Sequence, residues 1–158
     1  MSEASPSIPN EEAAAVQALI RIGRLLEKAT SRLSLSDFRV LSAIQAGEER
    51  ASRVAARLSI GRPTISATVD SLCKRGLLER REVHHDQRAD SLVITAEGVV
   101  VRDEVESELA QVVKRLSIRA GQLESIMHSL ALLGGAIEEE MREHATDLTR
   151  AQKATARA

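Results

Sequence analysis

The chain is patterned at the helical period almost throughout and departs from it once, just after Gly76. Leu77-Leu78-Glu79-Arg80-Arg81-Glu82-Val83 reads as a strand, His84 to Asp90 as a long charged turn, and Ser91-Leu92-Val93-Ile94-Thr95 as a second strand. One hairpin among helices makes the fold class mainly α (α+β). A strand-rich sandwich is excluded, because such folds favour aromatic residues and this chain has one Phe and no Trp or Tyr.

Before the hairpin the spacing predicts four helices. Glu11 to about Arg32 carries Val16, Ile20, Gly23 and Leu26 at intervals of three and four. Ser36 is expected to cap the second helix, which buries Phe38, Leu41 and Ile44 and ends at a left-handed Gly47. Ser52 is expected to cap a short helix through Leu58, with Val54, Ala55 and Leu58 inward. Ser59-Ile60-Gly61 makes a tight turn into a helix from about Arg62 to Arg75. Pro63 sits in its first turn, Ile65, Val69 and Leu72 form its core stripe, and Gly76 stops it.

After the hairpin, Ala96-Glu97-Gly98 leads into a long helix to about Leu116. Its stripe is Val101, Val105, Leu109, Val112 or Val113, and Leu116. A final helix starts near Gln122 with Leu123, Ile126, Met127, Leu130, Leu133, Ile137 and Met141 on one face. The sequence divides the chain into a disordered N-terminus (1–10), a winged region (34–96), a helical region (11–33 and 97–145) and a flexible tail (146–158). A single Cys73 rules out an intramolecular disulfide and fits a reducing, cytoplasmic setting. No apolar run reaches the roughly 18 residues of a membrane span. Neither a nucleophile elbow, a phosphate loop nor a zinc-protease pair is present, so no enzyme and no cofactor is expected.

Charge is uneven. Between Ala51 and Arg88 there are eight Lys/Arg against four Asp/Glu, while the rest of the chain holds 14 against 19. A basic middle between acidic flanks suggests an anionic partner. The same middle has the order short helix, turn, helix, strand, charged turn, strand, which is a helix-turn-helix followed by a wing. The second helix carries polar or small residues on its outer face, namely Arg62, Thr64, Ser66, Ala67 and Asp70. The major groove of double-stranded DNA admits such a helix.

Three segments resemble the multiple-antibiotic-resistance-regulator (MarR) family of bacterial transcription factors. Leu35-Ser36-Asp37-Phe38-Arg39-Val40-Leu41 is similar to the start of the family's second helix. Thr64-Ile65-Ser66-Ala67-Thr68-Val69-Asp70-Ser71-Leu72, closed by Gly76-Leu77-Leu78-Glu79-Arg80, is similar to its recognition helix. Asp86-Gln87-Arg88-Ala89, followed by Leu92-Val93-Ile94-Thr95-Ala96-Glu97-Gly98, is similar to its wing and the exit from it, and is the most specific piece.

The resemblance implies a homodimer joined by the first and last two helices, through Val16, Ile20, Val105, Leu109, Leu123, Ile126, Leu130, Ile137 and Met141. It implies two winged lobes on a palindromic operator, with DNA contacts from Ser52, Arg62, Pro63, Thr64, Ser66, Ala67, Asp70, Lys74, Arg81, Gln87 and Arg88. It also implies a repressor whose DNA affinity often falls when a small-molecule effector binds between the two regions. Ala67 stands where many members have a base-contacting Arg, and the near-absence of aromatic residues departs from the family's aromatic-lined effector pocket.

Each feature has a plainer reading. Arg88 would brace the hairpin against Asp86 or Asp90, Thr64 and Ser66 would cap their helix, and Ser52 is a plain cap. His84-His85-Asp86 would be solvated wing residues rather than metal ligands. Cys73 would be a small core residue, against an alternative in which it is a redox sensor. A further alternative makes the winged lobe a protein-interaction module.

Overall fold

The computed structural model describes residues 10–81 and 91–155, with side chains to Arg142. Its elements in chain order are α1 (Asn10–Ala29), α2 (Leu35–Gln45), α3 (Ala51–Leu58), α4 (Arg62–Lys74), β1 (Leu78–Arg81), β2 (Ser91–Ile94), α5 (Ala96–Arg119) and α6 (Leu123–Thr155). Residues 82–90, with Gln87, Arg88 and both histidines of the wing, lie outside the described part, as do residues 1–9.

Local chemistry sets the helix ends. The cap of α2 is Ser34 rather than Ser36. The Ser34 hydroxyl accepts from the Asp37 amide at 3.0 Å, and the Asp37 carboxylate accepts from the Ser34 amide in return. Ser52 does not cap α3. The cap position is Arg50, whose side chain makes no capping hydrogen bond to the helix, and Ser52 is exposed inside the first turn.

Four helices close with the same pair of backbone bonds, in which a left-handed residue follows the helix and the next amide reaches back five residues. Glu48 N–H bonds Ala43 O, Ile60 N–H bonds Ala55 O, Leu77 N–H bonds Leu72 O and Gln122 N–H bonds Ser117 O. The left-handed residues are Gly47, Ser59, Gly76 and Gly121.

β1 and β2 pair antiparallel, with Leu78 opposite Ile94 and Arg81 opposite Ser91. Leu92 N–H also bonds Glu49 O at 2.7 Å, so the α2–α3 loop lies along the free edge of β2. One continuous core joins α2, α3, α4, the hairpin and the first half of α5. Val40, Leu41, Val54, Ile65, Val69, Leu72 and Val105 are fully buried in it. Each such side chain contributes about 1.5–3 kcal/mol on leaving water. Leu33, in the α1–α2 linker, is anchored in the same core.

Two expectations change here. Val105 is a core residue of the winged lobe, not a surface available to a second copy, and Leu109 packs against the same core. The stripe along α5 is shared, its first half turned to the lobe and only its far end outside this cluster. In addition, α6 does not end near Ala145. Its backbone stays helical to Thr155, which suits a segment rich in Ala, Arg and Lys, all good helix formers.

Candidate nucleic-acid interface

The turn Ser59-Ile60-Gly61 brings α3 and α4 together as a helix-turn-helix. Ile60 packs against the core, and Gly61 takes the cap position of α4 without any side-chain cap. Thr64 and Ser66 therefore do not cap their helix, and the first amides of α4 remain open at a surface where Arg62 is also exposed. Unpaired amides beside a cation suit a phosphate.

Ile65, Val69 and Leu72 hold α4 on the core, each with no exposed surface. That orientation turns Arg62, Pro63, Thr64, Ser66, Ala67, Asp70 and Lys74 outward, and all seven are exposed. Thr68 is not part of this row, and its hydroxyl donates to Thr64 O at 3.0 Å.

β1 lies beside the same face. Arg80 Nη2 donates to Asp70 Oδ1 at 2.6 Å, fastening α4 to β1. Asp70 is thus committed to an ion pair, and its charge is offset where a phosphate would otherwise repel it. Arg81 is exposed at the end of β1, with Glu79 at 3.7 Å.

Sequence reasoning missed the basic face of α3. With Val54 and Ala55 buried, Arg53 and Arg57 are left on the exposed side, Arg57 with Glu48 at 3.5 Å. Their spacing of four, out of phase with the inward residues, was the available signal. Arg39 Nη2 donates to Leu58 O at 3.2 Å and so closes the end of α3. Cys73 is half-buried and packs against the core. Among the described residues no group of His, Cys, Asp and Glu is placed to hold a metal ion, and no helix is long and apolar enough to cross a membrane.

The helical region shows the opposite surface. α1 buries no residue, and Val16, Leu19, Ile20 and Leu25 are exposed along it. On α6, Met127, Leu130, Leu132, Leu133 and Ile137 are exposed, while Leu123, Ile126 and Met141 are half-buried. An apolar groove of about 850 Å³ runs between α1, the end of α5 and the start of α6. A second groove, smaller and lined mainly by charged residues, of about 540 Å³, lies where α6 crosses α3, with Glu48, Arg53, Arg57, Glu138 and Arg142 around Met141.

The comparisons agree with this geometry. Residues 33–89 match a family model described as the MarR family. No curated protein matches the chain. Among solved structures, the apo form of MarR from E. coli is 18% identical with a TM-score of 0.67, over 82% of this chain and 97% of that one. The transcriptional repressor CouR, bound to a 23-mer DNA duplex, is 22% identical with a TM-score of 0.63, over 84% and 99%. NadR in complex with 4-hydroxyphenylacetate is 19% identical with a TM-score of 0.67, over 89% and 98%. The winged lobe carries the MarR-family signature, and the chain as a whole has the fold of the MarR-family winged-helix transcriptional regulators.

Proposed function

We propose that this protein is a transcriptional repressor that binds a palindromic DNA operator as a homodimer. The observation that carries the reading is the outer row of α4, from Arg62 to Lys74, exposed and fastened to the wing by Arg80 and Asp70. A helix held that way fits a major groove, with Arg81 on the adjacent backbone, and Gln87 and Arg88, which lie outside the described residues, are the proposed minor-groove contacts. CouR, which shares the fold, was solved on a DNA duplex.

The dimer part of the proposal rests on α1 and α6. Much of their apolar surface is exposed within one copy, and a second copy laid along them would bury on the order of 2,000 Å². Val16, Ile20, Leu130 and Ile137 belong to that surface, with Leu123, Ile126 and Met141 at its margin. Two-fold symmetry then requires a two-fold site, with half-site centres about 10 base pairs apart. An effector that lowers DNA affinity belongs to the same proposal, and the junction of α3 and α6 is a groove of a size that takes one.

The test is selection of bound duplexes from a random DNA pool, followed by titration at several salt concentrations. Recovery of a palindrome whose affinity falls steeply with salt supports the reading. Asymmetric sites, or no enrichment, overturn it. A protein-interaction module would give no enrichment, and a redox switch would make enrichment depend on oxidant and on Cys73.

A further inference from the structure

We infer that Arg75 is a positioning residue for DNA binding: it fixes the tilt of the recognition helix relative to the helices that join two copies. The inference rests on the proposed two-fold docking on DNA. Arg75 is the C-terminal cap of α4, one residue past Lys74 and immediately before the left-handed Gly76 turns the chain into β1. Its guanidinium does not lie along its own helix. Nη2 donates to Arg32 O at 2.6 Å, and Nη1 donates to Asp37 Oδ2 at 3.0 Å. One planar group thus grips the α1–α2 linker and the first turn of α2 together, a geometry that the fork of an arginine allows and a lysine does not.

Both acceptors are themselves held. Asp37 Oδ2 also accepts from the Ser34 amide, inside the reciprocal cap that begins α2. The linker is anchored by Leu33 in the core, and the side chain of Arg32 pairs with Glu104 of α5. The end of the recognition helix is therefore tied, through Arg75, to the short segment that leads out of α1 and braces against α5. Those are helices of the proposed dimer region. In a symmetric pair, the tilt of each α4 against that region sets the distance between the two recognition helices, and so the half-site spacing the dimer accepts.

An ion pair this exposed adds little to folding, so the residue is legible through spacing rather than through stability. The test uses the full chain and duplexes bearing the selected palindrome with its own spacing, or with one central base pair added or removed. The wild type is expected to prefer its own spacing by about tenfold or more, the scale that DNA deformation imposes. Arg75→Gln is expected to shrink that ratio to about twofold, because a loosened α4 follows the altered groove without deforming the duplex. Arg75→Lys keeps the charge but not the fork, and is expected to fall between the two. Partial unfolding would lower the active fraction for every duplex alike and leave the ratio untouched. Should Arg75→Gln not fold, Arg75→Lys carries the same measurement.

An unchanged ratio in the variants overturns the inference. So does an equal loss on all duplexes with a shallower salt slope, which would make Arg75 a phosphate contact. A wild type indifferent to spacing overturns the two-fold docking itself, and the inference with it.

Discussion

The carbonyl oxygen of Leu77 lies 2.2 Å from the point where a β-carbon on Gly98 would be, so the first turn of α5 sits on the hairpin only because residue 98 has no side chain. Thr95 completes the joint. Its hydroxyl donates to Gly76 O at 2.8 Å and accepts from the Gly98 amide at 3.0 Å. The Thr-x-x-Gly at the end of the wing is thus a helix cap and a close backbone approach in one motif.

Gly98→Ala should therefore be costly although Ala is the better helix former. The contact is with backbone, which gives little, so the loss should reach or exceed the roughly 1–3 kcal/mol of ordinary overpacking. Chemical denaturation measures it. A variant as stable as the wild type would show that α5 can pull back from Leu77 freely.

Ser59 offers the opposite change. It holds a left-handed conformation, φ 52°, that costs a non-glycine residue roughly 1–2 kcal/mol. Ser59→Gly relieves that strain but loosens the unfolded chain, so a net gain of up to about 1 kcal/mol is expected. Thermal melting reads it, and a loss of stability would mean that the side chain matters more than the backbone at this turn.

The dimer proposal is tested at Leu130 and Ile137, which are 39% and 50% exposed in one copy. Asp at either position should leave a lone protomer folded, yet it places an uncompensated charge in a paired interface, at a cost of several kcal/mol. Sedimentation should then show a dimer for the wild type at micromolar concentration and dissociation in the variants. A monomeric wild type would remove the basis of the proposal.

Charge and hydrogen-bond roles at the DNA surface should separate under salt. Arg62→Ala removes a cation at the open end of α4, so affinity should drop and the salt slope should lessen by about one unit. Arg88→Ala should do likewise, with its lost discrimination mainly A·T against G·C. Ser66→Ala removes no charge. Its slope should stay unchanged while one or two major-groove positions relax. Equal slopes in all three variants and the wild type would deny phosphate contact to both arginines.

The sequence made the winged lobe legible because each of its elements is locally determined. The stripe Ile65, Val69 and Leu72, the stops at Gly47 and Gly76 and the two short strands all follow from period and turn chemistry, and all are in the structure. Ser34 was missed in favour of Ser36 because both precede the same apolar run, and only the reciprocal bond with Asp37 separates them. Ser59 was not legible as a left-handed residue, since nothing local demands it of a serine. The dimer assignment of Val105 erred for a different reason. Periodicity shows that one face of a helix is covered but not by what, and α5 gives its first half to its own lobe. Arg75 and Arg80 carried no sequence signal, because their partners Asp37, Arg32 and Asp70 are met only in the folded chain.

That α1 buries no residue within its own protomer has a consequence for how the protein comes apart. Most helical stability comes from tertiary packing, and α1 packs only lightly on its own protomer, so in the proposed dimer α1 owes much of its persistence to the second copy. Diluting the protein should then do more than separate two copies. It should unwind α1 in each, lower the helical signal as concentration falls, and open the segment before Leu33 to proteases. If the proposed dimer forms, the abundance of the protein and the structure of its N-terminal helix become one variable, and newly made chains would present a loosened α1 until they meet a second copy.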